Sequence, residues 1–100
     1  MAFRLLYHPL VKSEDLPRIA AKARARIRRA IEERAAAAPA RYGKPLRFTL
    51  KGLWSLRVGD YRIIYAIQGD EVWVLNIGHR REVYQEAGTR ARGNREGFEG

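Results

Sequence analysis

The spacing of apolar residues changes once along this chain, near residue 45, from the period of a helix to that of strands. Before the change, residues 3–7 (FRLLY) form a short apolar run closed by His8 and Pro9. Proline donates nothing to a sheet ladder, so a first strand ends there. Ser13, Glu14 and Asp15 ahead of Pro17 combine capping oxygens with a first-turn proline, which predicts a short helix or turn over 10–16. Over 19–37, Ile19, Ala23, Ile27, Ala30, Ile31 and Ala35 recur at helical spacing and predict one long helix with a single core-facing stripe. Its other face carries Lys22, Arg24, Arg26, Arg28, Arg29, Glu32, Glu33 and Arg34, a solvated face that also suits a nucleic-acid backbone. Pro39 stops the helix, and Tyr42, Gly43, Lys44 and Pro45 continue as a loop.

After the loop, Leu46, Phe48 and Leu50 alternate with Arg47, Thr49 and Lys51, which predicts a half-buried strand over 46–50. Gly52 interrupts it, and Trp54, Leu56 and Val58 mark a second strand. Gly59 and Asp60 signal a hairpin into a strand over 61–67; Gln68, Gly69 and Asp70 turn the chain again into 71–77 (EVWVLNI). Such short connections require antiparallel neighbours. The expected fold class is therefore α+β, a small and mostly antiparallel sheet of about four to five strands covered on one face by the N-terminal helices. Residues 82–87 add a last helical turn. The domain is expected to span 1–87, with 88–100 a flexible tail lacking a packing pattern.

Composition adds a sign to this sheet. Among 100 residues the net charge is +9, and most of the surplus is arginine, whose fork suits phosphate and carboxylate. Acidic partners follow. The absence of cysteine excludes disulfides and thiolate metal sites, and two histidines without a spaced carboxylate set leave no expected metal or cofactor. No apolar run reaches the roughly 18 residues of a membrane span, and the start lacks the order of a signal peptide, so a cytoplasmic protein is expected.

Four arginines and a histidine, Arg57, Arg62, Arg80, Arg81 and His79, lie within 57–84 around two apolar strands. Strand alternation lets Lys51, Ser55 and Arg57 share one surface, and the tight turn lets Arg62 face Arg57 across the hairpin. Two like charges so placed repel unless an anion or carboxylate lies between them. Arg80, Arg81, His79 and Tyr84, beyond the last strand, are placed to close over the same surface. Arginine neutralises phosphate, tyrosine stacks on a base and histidine exchanges protons near neutrality, so the group has the components for phosphodiester chemistry. Asp60, Asp70, Glu71 and Glu82 offer the other reading, ordinary surface salt bridges.

Residues 56–67 (LRVGDYRIIYAI) and 71–84 (EVWVLNIGHRREVY) resemble the core of the RelE/ParE superfamily of type II toxins, more specifically its RelE branch, and the resemblance extends over about 2–86. It implies a RelE-like fold and a small basic ribonuclease that enters the ribosomal A site and cuts mRNA. The ribose 2′-hydroxyl attacks the adjacent phosphate without a metal. An acidic antitoxin from the same operon would inhibit it in a hetero-oligomer. By the same resemblance, Arg62 matches the phosphate-stabilising arginine, Arg57 a basic residue on the preceding strand, Arg80 the arginine after the last strand, and Tyr84 the C-terminal tyrosine that stacks on or activates substrate. Two lysines of the family pattern are replaced here by Leu53 and Ser55. Lys51, Ser55 and His79 are the expected substrate-binding residues. The alternatives are a non-catalytic ParE-like toxin that binds DNA gyrase, or a degenerate basic RNA-binding module.

Overall fold

The computed structural model describes residues 2–79, 81–93 and 97–99. Its sheet has the strand order β1-β5-β4-β3-β2. Strands β3 (Leu53–Val58), β4 (Tyr61–Gln68) and β5 (Glu71–Gly78) form the expected antiparallel meander. Gly59 and Gly69 close its two turns, each at φ +60°, where a side chain would be strained. Strand β1 (Arg4–Tyr7) joins the outer side of β5 in parallel, and β2 (Lys44–Pro45) is a two-residue edge on β3.

The predicted strand over 46–50 is not one. Leu46 N–H still donates to Leu53 O at 2.8 Å, but the chain then closes into a 3₁₀ turn, Phe48–Leu50. Leu46 and Leu50 both turn into a core with Leu53 while Phe48 points to solvent, so the apparent alternation came from a turn anchored at both ends. Phe48 sits at φ +57°, a left-handed conformation that costs a bulky residue about 1–2 kcal/mol.

One face of the sheet is covered as the pattern predicts. A π-helical turn (Val11–Asp15) and a 3₁₀ turn (Leu16–Arg18) lead into α1 (Ala21–Ala30), which continues with wider winding through Ile31–Ala35 and is followed by the short α2 (Pro39–Tyr42). The stripe residues Ile19, Ile27, Ala30, Ile31 and Ala35 are buried against Leu56, Val58, Ile63, Tyr65, Val72, Val74 and Ile77. None of the described helices is long and apolar enough to cross a membrane.

The opposite face is covered too, which the sequence did not announce. Helix α3 (Glu82–Arg92) runs beyond the expected limit at 87, and its Val83 and Ala87 form a second core with Leu53, Ile64 and Leu75. Gly88 allows the close approach: a Cβ there would lie 3.1 Å from Leu50 Cδ2. A bulge directs the seam, because Ile64 pairs with Asn76 and Tyr65 with Val74, leaving Leu75 as the extra residue. Asn76 Nδ2 then donates to Val83 O at 3.0 Å. Arg90, in the segment read as a tail, is only 6% exposed and forks onto Asp15, 4% exposed, through bonds of 2.7 and 3.0 Å. The same guanidinium donates to Leu75 O and Asn76 Oδ1, and Asp15 Oδ2 accepts Ile77 N–H. Burial, and then the Arg90 charge, lower the pKa of nearby His8, with Asp15 partly offsetting them. Residues 97–99 also return to the body, Glu99 exchanging two backbone bonds with Tyr7 and Phe98 packing on Trp73 and His8. The open edge of β1 is thereby paired.

Tyr65 fixes α2 to the sheet. Its hydroxyl donates to Pro39 O at 2.6 Å, and any side chain at Gly43 would collide with that hydroxyl. Burial pushes the phenol up to about 12 from its ordinary 10.0. The folded value is the higher one, so the contribution of the neutral phenol is complete below pH 10 and lost as pH rises towards 12. Tyrosinate absorbance should show a final step near pH 12 that Tyr65→Phe removes, and the substitution should cost about 0.5–1.5 kcal/mol in urea unfolding, because Pro39 O loses the hydroxyl donor and keeps only Gly43 N–H at 3.1 Å among its described donors.

Candidate nucleic-acid interface

On the α3 side of the sheet the cross-strand rows read Arg57, Arg62, Gly78 at the turn end, then Ser55, Ile64, Asn76, then Leu53, Ala66, Trp73. The second and third rows carry the second core; the first lies at the end of the β3–β4 hairpin. Arg57 and Arg62 are therefore directly opposed, with Cβ atoms roughly 5 Å apart by strand geometry. Arg57 Nε donates to Gly59 O at 3.0 Å, which draws its side chain towards the turn. Arg62 is half-buried and has no hydrogen bond or ion pair among the described residues.

The salt-bridge reading fails in the ion pairs formed among the described residues. Glu71 pairs with Arg4, Glu99 with Lys12 and Glu32 with Arg28, while Glu14, Asp15 and Glu86 surround Arg90. Neither Arg57 nor Arg62 appears in any of them. Two arginines on directly paired residues, neither in an ion pair among the described residues, form a site that an anion would stabilise, and their remaining N–H donors suit a phosphate.

The register also brings in a residue that the sequence reading missed. Lys44 is paired directly with Ser55, so its side chain stands on the face of Ser55, Arg57 and Arg62. Only the two-residue strand β2 places it there. Arg26 arrives from the other side: its guanidinium lies against Gly59, where a Cβ would be 3.5 Å from Nη2, and links the basic face of α1 to the turn. Tyr84, half-buried in the first turns of α3, packs on the second core and thus shares this face.

Other expected site residues are placed elsewhere. Lys51 lies beyond the far end of β3, roughly 20 Å along the strand direction from Arg57, beside a hollow of about 340 Å³ lined by Leu53, Trp73 and Phe98. His79 stacks on Tyr61 with ring centroids 5.3 Å apart and planes inclined by 18°. Tyr61 precedes Arg62 in β4 and so faces the α1 side, and both rings line a cleft of about 940 Å³ between the N-terminal turns and α3, with Glu14, Arg18, Glu82 and Glu86. Arg81 is exposed at the start of α3. Arg80 lies outside the described residues.

A small α+β protein with a helix-backed sheet and, at its hairpin end, an arginine pair outside the ion pairs of the described residues defines the class. The sequence model described as ParE toxin of type II toxin–antitoxin system, parDE, matches residues 4–84. The chain belongs to this family, within the RelE/ParE superfamily. It is 43% identical over 49 residues to toxin RelG and 47% identical over 49 residues to toxin RelE, both of Mycobacterium tuberculosis. Each alignment covers 47% of this chain, and 56% and 50% of the respective relative, so the chain spans about half the length of the curated relatives it matches. Among solved structures, the toxin–antitoxin complex RelBE2 of M. tuberculosis superposes with a TM-score of 0.74 at 28% identity, covering 80% of this chain and 93% of that one. A double arginine-to-alanine mutant of Escherichia coli toxin RelE in the free state superposes with a TM-score of 0.72 at 20% identity, over 90% and 98%, and speaks for the fold.

Proposed function

We propose that this chain is the toxin of a type II toxin–antitoxin pair and that it cleaves mRNA on the ribosome. The observation that carries the reading is the cross-strand pair Arg57–Arg62, in no ion pair among the described residues and joined on its face by Ser55 and Lys44. In the proposed step the substrate's 2′-hydroxyl gives up its proton and attacks phosphorus, the P–O5′ bond breaks to leave a cyclic phosphate, and the released 5′-oxygen takes up a proton to become a free 5′-hydroxyl. Charge grows on the non-bridging oxygens, where arginine forks give their greatest benefit. Arg80 belongs to the proposed set by the family pattern alone, and Tyr84 is the aromatic partner for a base. The ribosome holds the strand in line for attack, which relieves the toxin of much of the cost of alignment. The inhibitor is an acidic antitoxin matched to the +9 charge, in a hetero-oligomer.

The family description favours one rival, a ParE-like toxin acting on DNA gyrase, and Leu53 and Ser55 in place of lysines lean the same way. Mapping 5′ ends of mRNA on translating ribosomes after induction separates the two. Cuts confined to A-site codons are expected. Intact mRNA together with cleaved DNA and an SOS response would replace this reading with the rival.

A further inference from the structure

We propose that the β2 edge, with Phe48 at its tip, is a stacking contact for single-stranded RNA; the proposal rests on the RNA-directed reading above and names a second contact for its substrate. Phe48 is 90% exposed and held at φ +57°, so its presentation to solvent costs both apolar exposure and backbone strain. The flanks enforce it. Leu46 and Leu50 are packed in the second core, and Leu50 and Lys51 N–H groups bond back to Arg47 O and Phe48 O at 3.1 Å.

The surroundings indicate the partner. Residues 34–59 contain no aspartate or glutamate, while Arg34, Arg41, Lys44, Arg47, Lys51 and Arg57 fall within them. None of these six cations enters an ion pair among the described residues. Tyr42, 47% exposed at the end of α2, adds a second aromatic just before Lys44. A protein interface would be expected to surround the ring with an apolar patch, but Phe48 stands between exposed Arg47 and Thr49, with exposed Lys51 following. An isolated ring among cations fits a nucleobase on its face and phosphates on its flanks. Lys44, beside Ser55, makes the edge continuous with the Arg57–Arg62 row, so one strand of RNA can follow both.

The test is equilibrium binding of a short fluorescent oligouridylate to the full chain, with Phe48→Ala, Phe48→Leu and Phe48→Trp compared. Alanine and leucine should each weaken binding roughly 5- to 100-fold, since leucine keeps apolar area without a ring face, and tryptophan should restore it. Phe48→Gly should weaken RNA binding while raising the unfolding temperature, because it relieves the left-handed strain. Wild-type binding that Phe48→Ala leaves within about twofold would overturn the edge contact and leave the RNA reading standing, since stacking should contribute more than that. No wild-type binding at all would overturn the edge contact, whereas the ribosome-dependent reading stands or falls on the mapped mRNA ends. Phe48→Ala binding RNA normally but losing affinity for the acidic antitoxin would make the edge a protein-docking surface and sink the proposal.

Discussion

Arg90→Met is expected to lower the unfolding free energy by about 3–5 kcal/mol, a third or more of the total for many domains of this size. Helix propensity does not account for such a loss, because arginine and methionine are nearly equal within a helix. The cost comes from what stays behind. Asp15, 4% exposed, would stay buried with Ile77 N–H as its remaining hydrogen-bond partner among the described residues, and Leu75 O and Asn76 Oδ1 would lose the Arg90 donor. An unfolding temperature more than about 10 °C below wild type should result, against almost no change for the exposed Arg92→Met. Asp15→Leu combined with Arg90→Met should recover much of the loss, since an apolar pair of similar volume replaces a buried ion pair without leaving a charge unpaired. Equal unfolding temperatures for Arg90→Met and Arg92→Met would mean that the network does not hold α3 to the sheet.

That network shows where the sequence stops being legible. The strands 53–58, 61–68 and 71–78 were readable because period-two alternation and Gly-containing turns act over a few residues. The opposition of Arg57 and Arg62 followed from the same local rule, as a two-residue turn fixes its own register. Asp15 and Arg90 are 75 positions apart, and each had a convincing local reading, a helix-start oxygen and a charge in a glycine-rich tail. Only tertiary packing pairs them. Lys44 was hidden by a related limit, since a two-residue edge strand has no period to detect. In 46–50 the local signal misled, because two leucines anchoring a turn have the spacing of a strand.

Arg62→Ala should reduce mRNA cleavage by roughly 10²–10³-fold while leaving stability within about 1 kcal/mol of wild type. The two effects separate because the residue has no described bond to lose, and its departure removes a like-charge repulsion from Arg57. Part of that gain is offset by the packing of its half-buried stem. Arg62→Lys should fall between, retaining charge without the planar fork. The sharper variant is Arg57→Glu. A carboxylate opposite Arg62 makes a favourable cross-strand pair, so stability should rise by about 0.2–1 kcal/mol, yet the anion site is filled by the protein itself and cleavage should collapse. A merely structural arginine pair predicts the reverse order, with stability and activity moving together. Retention of wild-type cleavage by Arg62→Ala and Arg57→Glu, measured beside their unfolding temperatures, would remove phosphate chemistry from this face.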